Sequence, residues 1–225
     1  IVFINGRIEK IEFNYEEEDK IEILDEIELK EKPDFENSLI DLNNAFTNKY
    51  YKIVVKENYS LKKPLIIYHS TNENLQLKNI NLRLDFLLKK NSCLRLIDIS
   101  NDLSKKNFIN TIYNFELKKD SILKNYKIDQ KTNNNIKYSF NNIEQDINSV
   151  SETFILSSGS NFIKNEINCN LNGKYASAFI NGIFSLNENR HHEIRTSINH
   201  LIDNTKSYQL IKSVLENDSN SVYQG

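Results

Sequence analysis

LKKNSCLRLIDI at residues 88–99 and LKKDSILKNYKI at residues 117–128 are two copies of one unit. Each opens on Leu, passes through a short polar turn, and continues into a stretch where apolar and polar residues nearly alternate. Looser copies stand as LKKPLII from Leu61, LSSGSNFIKNEI from Leu156 and LNGKYASAFINGI from Leu171. The unit reads as a strand entering a turn and a strand leaving it. Leu94, Leu96 and Ile99 mark an inner face, with the register slipping by one at Ile99, and Leu123, Tyr126 and Ile128 behave similarly. A single unit cannot bury its apolar face alone, whereas stacked units share a continuous core. The intervals between the opening Leu residues, 27, 29, 39 and 15, are too uneven for propeller blades. A β-solenoid tolerates uneven loops between its turns. A β-sandwich accounts for the same pattern, and alternation alone does not choose between them.

The rest of the chain fits a strand-rich protein. Of 225 residues only three are Ala, at 45, 176 and 178, so the best helix former is nearly missing, while Ile, Tyr and Phe are plentiful. With 5 Gly and 2 Pro, Asn is left to fill many turn positions, which its tolerance of the left-handed region permits. Residues 1–13, IVFINGRIEKIEF, read as a hairpin turning at Asn5-Gly6. Residues 15–32 are acidic and mixed. Phe35 to Thr47 carries apolar residues at 39, 40, 42, 45 and 46, a helical spacing that Asn37 or Ser38 would cap. The expected organisation is a hairpin and helical segment over 1–49 and a β-helical core over 50–225.

Composition excludes several classes of function. Lys and Arg make 29 against 31 Asp and Glu, a net charge of -2, which gives no reason to expect nucleic acid or an anionic membrane as a partner. No apolar run approaches the roughly 20 residues of a spanning helix. The first residues do not have the basic-then-apolar form of a signal peptide, and with no Met in the chain its true beginning is expected upstream. Two cysteines, Cys93 and Cys169, make neither a disulfide framework nor a metal knuckle, and a reducing cytoplasm is expected. Both fall in apolar strand patterns and are expected to be buried, unbonded and not cluster ligands.

No catalytic residue emerges. Gly159 and Gly173 are isolated turn glycines without a phosphate-cradle motif, and Lys89-Lys90 and Lys118-Lys119 read as solvated turns. The candidate metal ligands are His192 and His200 in NRHHEIRTSINH, with Glu193 beside them. On one continuous strand they would face the same side about 26 Å apart, at roughly 3.3 Å per residue, too far for one ion. A turn between them would bring them closer. The favoured reading places them in consecutive turns as structural imidazoles that hydrogen-bond to turn backbone, because metal sites show tighter, paired spacing. Arg190 and Arg195 near Glu193 are the residues a carbohydrate-active β-helix enzyme would use, and a structural β-solenoid module is a further alternative.

Several stretches together resemble the SufB/SufD family of the SUF iron–sulfur cluster assembly system. IVFINGRIEK resembles the family's opening hairpin, DLNNAF at 41–46 its Leu-Asn-x-Ala-Phe stretch, and LKKPLIIYH at 61–69 its Leu-x-x-Pro-Ile turn. Asn48-Lys49-Tyr50 replaces the family's usual Asp-Gly. The strongest likeness runs from Leu171 to Gly225, where His192, Thr196, His200, Thr205, Ser207 and Gln209 fall on the family's pattern. The resemblance implies a right-handed parallel β-helix. It also implies a non-catalytic scaffold subunit of the SufD type, paired with a SufB-like paralogue and driven by a SufC-like ATPase. No cofactor is expected to be bound stably by this chain, the iron–sulfur cluster being implied for the complex. The family's later Cys/His-bearing turn and ATPase-binding helices have no counterpart before Gly225. The chain is therefore expected to be a fragment of a longer protein.

Overall fold

The computed structural model describes residues 1–12, 16–17, 19–26, 37–47, 50–129 and 134–225. The start of the expected helix at Phe35 and the Asn48-Lys49 replacement lie outside the described residues. In chain order the elements are β1 (Val2–Ile4), β2 (Arg7–Lys10), β3 (Ile21–Glu26), α1 (Ser38–Phe46), β4 (Tyr50–Val55), β5 (Leu65–Ser70), β6 (Asn79–Leu88), β7 (Cys93–Ser100) and β8 (Phe108–Leu117). They continue with β9 (Ile122–Asp129), β10 (Ile136–Gln145), β11 (Val150–Ser157), β12 (Phe162–Leu171), β13 (Ser177–Leu186), β14 (His191–His200), β15 (Lys206–Leu215) and β16 (Asn220–Gln224).

From β4 onward the chain winds as a parallel β-solenoid of about six turns. Even-numbered strands from β4 to β16 stack into one sheet and odd-numbered strands from β5 to β15 into the other, every neighbouring pair parallel. The Asn5-Gly6 hairpin forms as expected: β1 runs antiparallel to β2 and parallel to β5, and so closes the first turn. On the other sheet, β3 caps β4 in antiparallel pairing. Among the described residues no helix is long and apolar enough to cross a membrane.

Register explains why the repeat looked uneven. Val55, Leu88, Leu117, Gln145, Leu171 and His200 occupy one column, at intervals of 33, 29, 28, 26 and 29 residues. Gln145 and His200 hide two copies of the Leu signal. Leu61 and Leu156 belong to other columns, since Leu61 sits beside the Ser60–Cys93 bridge and Leu156 lies in the Ile128–Ile183 column. Gln145 is fully buried and is satisfied there. Its Nε2 donates to Ser177 O at 3.0 Å and its Oε1 accepts from Ser151 Oγ at 2.7 Å.

The corner that follows this column is built on left-handed residues. Asn58, Asn91, Asp120, Asn148, Tyr175 and Asn204 have φ between 54 and 65°. The backbone N–H of each of the first five donates to a carbonyl of the next turn at 2.9–3.1 Å. Asn and Asp tolerate this conformation because their short polar side chains hydrogen-bond locally, and Asn91 Nδ2 reaches Asn58 Oδ1 at 2.9 Å. Tyr175 is the misfit of the column. Gly173 lies on the same corner, where an added Cβ would stand 2.0 Å from the backbone N of Ile147 on the turn below.

The helix departs from its expected face. Apolar spacing suggested Leu39, Ile40, Leu42, Ala45 and Phe46, but α1 buries Ile40, Asn43 and Asn44, and Phe46 is exposed. It lies on the outer surface of the even sheet, where Ile40 packs against Ile112, Tyr138 and Phe140 and the two Asn side chains meet polar partners. Asn43 Nδ2 donates to Asn110 O at 2.9 Å, and Asn44 Oδ1 accepts from Arg83 at 2.6 Å. Asn37 caps the helix by accepting from the Leu39 N–H at 3.0 Å.

Relieving the misfit by Tyr175→Asn should raise unfolding stability by about 0.5–1 kcal/mol. Gly173→Ala should lower it by about 2 kcal/mol or more, because the added methyl meets backbone. Urea unfolding of the two variants measures both.

Candidate functional site

Strand alternation sets the chemistry of the interior. Toward the end where odd strands begin and even strands finish, inward positions are apolar: Leu94, Leu96, Phe86, Phe115, Leu117, Leu123 and Ile143 are all buried. Toward the opposite corner they are charged. On β7 the inward residue after Leu94 and Leu96 is Asp98, and Ile99 points outward, so the apparent slip of register does not occur. On β9 the inward residues are Leu123, Asn125, Lys127 and Asp129, with Tyr126 and Ile128 outside.

Asp98 and Lys127 are register partners on adjacent strands, with Lys127 Nζ 3.7 Å from Asp98 Oδ2 and 2.7 Å from Ser139 Oγ. On the preceding turn, His69 Nε2 lies 3.0 Å from Asp98 Oδ1 and 2.7 Å from Tyr113 Oη. Lys137 Nζ, arriving from the even sheet, sits 2.8 Å from Asp102 Oδ2, 3.4 Å from Asp129 Oδ1 and 2.6 Å from Ser100 Oγ. Three carboxylates and two ammonium groups, with the His69 imidazole, thus form two adjacent buried clusters, His69–Asp98–Lys127 and Asp102–Lys137–Asp129, which line one cavity and make up a buried polar network. Phe3 of the hairpin stacks on His69 with ring centroids 5.4 Å apart and seals its near end.

Burial alone would push the Asp98 carboxyl up. The charges of His69 and Lys127, with hydrogen bonds from His69 and Tyr113, outweigh it and bring Asp98 down to about 2. Burial likewise works against the Lys137 ammonium, and Asp129 and Asp102 overcome it, so its pKa rises. The Tyr113 phenol is driven well above its ordinary value, first by burial and then by Asp98, and stays protonated as a donor.

A cavity of about 40 Å³ runs among these groups. Asp129 Oδ2 and both amide atoms of Asn165 line it, buried and without a protein hydrogen-bond partner. A water needs about 10–15 Å³ of such volume, so there is room for about three, enough to meet these atoms. The network's other charged atoms satisfy one another. Sequence reading missed this site because its acids and lysines are spread over three strands, β7, β9 and β10, and the loop after β7.

The expected candidates lie elsewhere. His192 and His200 are on one strand, β14, and not in consecutive turns as expected, because the strand runs unbroken for ten residues. His192 is fully buried, with Nδ1 2.8 Å from Ser157 Oγ and Nε2 2.8 Å from Ser160 O. The carbonyl requires Nε2 to donate, so Nδ1 accepts from the serine, and burial lowers the ring's pKa. Ser157 is the register partner of Asp129, so the polar seam extends to His192. His200 is exposed at the far end, with Nδ1 2.6 Å from Thr205 Oγ1 and Nε2 2.9 Å from Ser207 Oγ. Thr196 Oγ1 donates to Gln209 Oε1, which also accepts from Tyr223 Oη at 2.8 Å. Arg190, Glu193 and Arg195 do not converge. Arg190 is tied to Asn187 and Glu188 in its own turn, Glu193 pairs with His191 at 2.9 Å, and Arg195 is exposed.

Both cysteines are free, as expected, but they differ in burial. Cys169 is fully buried between Ile143 and Ile198 in its column, and burial, with a smaller contribution from Glu144, pushes its thiol up to about 12. Cys93 was expected inside. It takes an outward position and is half-buried, because the inward alternation begins at Leu94.

Residues 69–225 match the family described as SUF system FeS cluster assembly, SufBD core domain. The chain belongs to this family. No curated protein matches the chain. The SufBD match begins at His69 and takes in every charged member of the buried network, as well as His192, Thr196, His200, Thr205, Ser207 and Gln209. Of those six, His192 lies in the seam and the other five make two hydrogen-bonded clusters on the last turns. Membership places the protein in iron–sulfur cluster assembly.

Because Asp98 is held at about 2 against an ordinary 3.8, it contributes about 2 kcal/mol to folding above pH 4, lost as the pH falls toward 2. Asp98→Asn should be destabilised at pH 7, by about 3–5 kcal/mol where Lys127 is left unpaired. The gap between variant and wild type should narrow by about 2 kcal/mol on acidification. Urea midpoints measured from pH 7 down to pH 2 test this.

Proposed function

We propose that the chain is a scaffold subunit of a SufBCD-like complex, of the SufD type. It works in the cytoplasm, pairs with a SufB-like paralogue and is driven by a SufC-like ATPase. The nascent iron–sulfur cluster is cargo of the complex, and the chain performs no catalysis of its own. The observation that carries this reading is that the SufBD core domain spans stacked solenoid turns whose buried charged groups are paired among themselves.

The thiol chemistry supports the same role. A cluster ligand or sulfur acceptor works as thiolate, and Cys169 is the reverse, a thiol whose ionisation burial opposes. Its place in a column of Ile residues suits packing.

Co-expression with the SufB-like paralogue and the SufC-like ATPase should give a complex that retains the chain on a tag carried by the paralogue. Purified alone, the chain should neither turn over ATP nor build a cluster from iron and sulfide. Loss of the paralogue from the complex, or cluster assembly by the chain alone, would overturn the proposal. Cys169→Ser should cost about 1–3 kcal/mol of stability through a buried hydroxyl lacking a partner. The iron content of the purified complex should stay unchanged.

A further inference from the structure

The charges of the buried network do not sum to zero. Asp98, Asp102 and Asp129 supply three carboxylates, and Lys127 and Lys137 supply two ammonium groups. With His69 neutral, one negative charge is left over after every ion pair is made. It falls on Asp129. Asp98 is held by His69 and Lys127, and Asp102 Oδ2 takes the Lys137 ammonium at 2.8 Å. Asp129 shares that ammonium through Oδ1 alone, at 3.4 Å, and its Oδ2 has no partner. Asp129 is 2 % exposed, and a carboxylate so deep is costly unless a counter-charge reaches it.

The uncharged groups beside it carry the same imbalance. Lys137 meets Asp129 and Lys127 meets Ser139 across the interior, and Asn165 follows Ser139 on the next turn. Asn165 is 1 % exposed, and its Oδ1 and Nδ2 line the same cavity as Asp129 Oδ2, buried and without a partner. At the next inward position of β9 and β10, Asn125 Oδ1 and Asn141 Oδ1 are also buried and unpartnered. Apart from the Thr153 hydroxyl, which can play either part, four oxygens that only accept thus stand against one amide Nδ2. Water meets such atoms singly, but it brings no charge and as many acceptor as donor positions.

A hard cation corrects both deficits, because it takes oxygen ligands and carries the missing charge. The surroundings select a single charge. Lys127 and Lys137 share the cavity wall, and only one carboxylate oxygen is free. Among the described residues no three His, Cys, Asp or Glu side chains are grouped to hold a metal ion, as a divalent site would require. The cavity of about 40 Å³ takes an unhydrated sodium or potassium ion, comparable in size to a water molecule, together with about two waters.

We propose that the solenoid interior binds one monovalent cation, sodium or potassium, through Asp129 Oδ2 and Asn165 Oδ1, with water completing its shell. The ion neutralises the polar seam and ties β9 to β12, which belong to different sheets and different turns. Because it binds the folded chain and not the unfolded one, its binding adds to stability.

Urea unfolding of the full chain tests this, in mixtures of sodium or potassium chloride with N-methylglucamine chloride at constant ionic strength. N-methylglucamine is too large for the cavity. The midpoint should rise as sodium or potassium replaces it, and the ion that acts at the lower concentration is the one the site selects. Asp129→Asn removes the free carboxylate and keeps the shape, so its midpoint should be the same in every mixture. Asn165→Asp gives the site a second carboxylate and should lower the half-effective cation concentration by roughly tenfold, a readout that stands even where Asp129→Asn folds poorly. A wild-type midpoint indifferent to the cation would overturn the proposal and leave the balancing charge to a protonated His69. A cation effect that Asp129→Asn retains, or that Asn165→Asp does not strengthen, would overturn it as well.

Discussion

Parallel stacking puts every residue directly against its counterpart on the next turn, about 4.8 Å away. The rest of the molecule follows from that proximity. Apolar positions can repeat without limit, as Leu88 and Leu117 do, because like packs well on like. Left-handed Asn can repeat at the corner, because a side-chain amide can reach the oxygen of its neighbour, as Asn91 reaches Asn58 and Asn148 reaches Asp120. A buried charge cannot repeat. Lys127 follows Asp98, Ser157 follows Asp129 and Ile163 follows Lys137, so each buried charge meets an opposite charge or a neutral residue along its column.

What could be read from the residues was the unit, and what could not was its phase. Polar turns followed by alternating strands identified stacked turns, and Asn-Gly identified the hairpin. The regular period stayed hidden because Gln145 and His200 stand in a column of Leu, where hydrogen bonds replace apolar contact. The phase of β7 and β9 was inverted for a physical reason. Their apolar residues at Ile99, Tyr126 and Ile128 face outward, and their charged ones face in, opposite to the usual economy of burial. The same inversion hid the buried network and the apolar outer face together. In α1 the error had the same form: Asn43 and Asn44 are buried because the surface beneath them offers carbonyl and guanidinium partners.

A buried ionic cluster is weak evidence of stability, since well-packed apolar residues do as well or better. Its value here lies in what it excludes. A turn that slipped by one residue would carry Asp98 or Lys127 to the outer face and bring Ile99 or Ile128 inside. The remaining partners would then be left charged and unpaired within the core. Apolar columns of similar residues would not punish such a slip, so the polar seam supplies the discrimination they lack.

The seam also bears on cooperativity. A solenoid whose turns touch only their neighbours tends to open piecemeal from its ends. The network, however, draws its charged members from β5, β7, β9 and β10 and the loop holding Asp102, so that parting β7 from β9 separates Asp98 from Lys127, and parting β10 from them takes Lys137 from both its carboxylates. These turns are bound into a single opening unit, in which amide protons on all of these strands exchange with one shared free energy. Beyond Ile155 and Gly182, where that column becomes neutral, the remaining turns are free to fray separately.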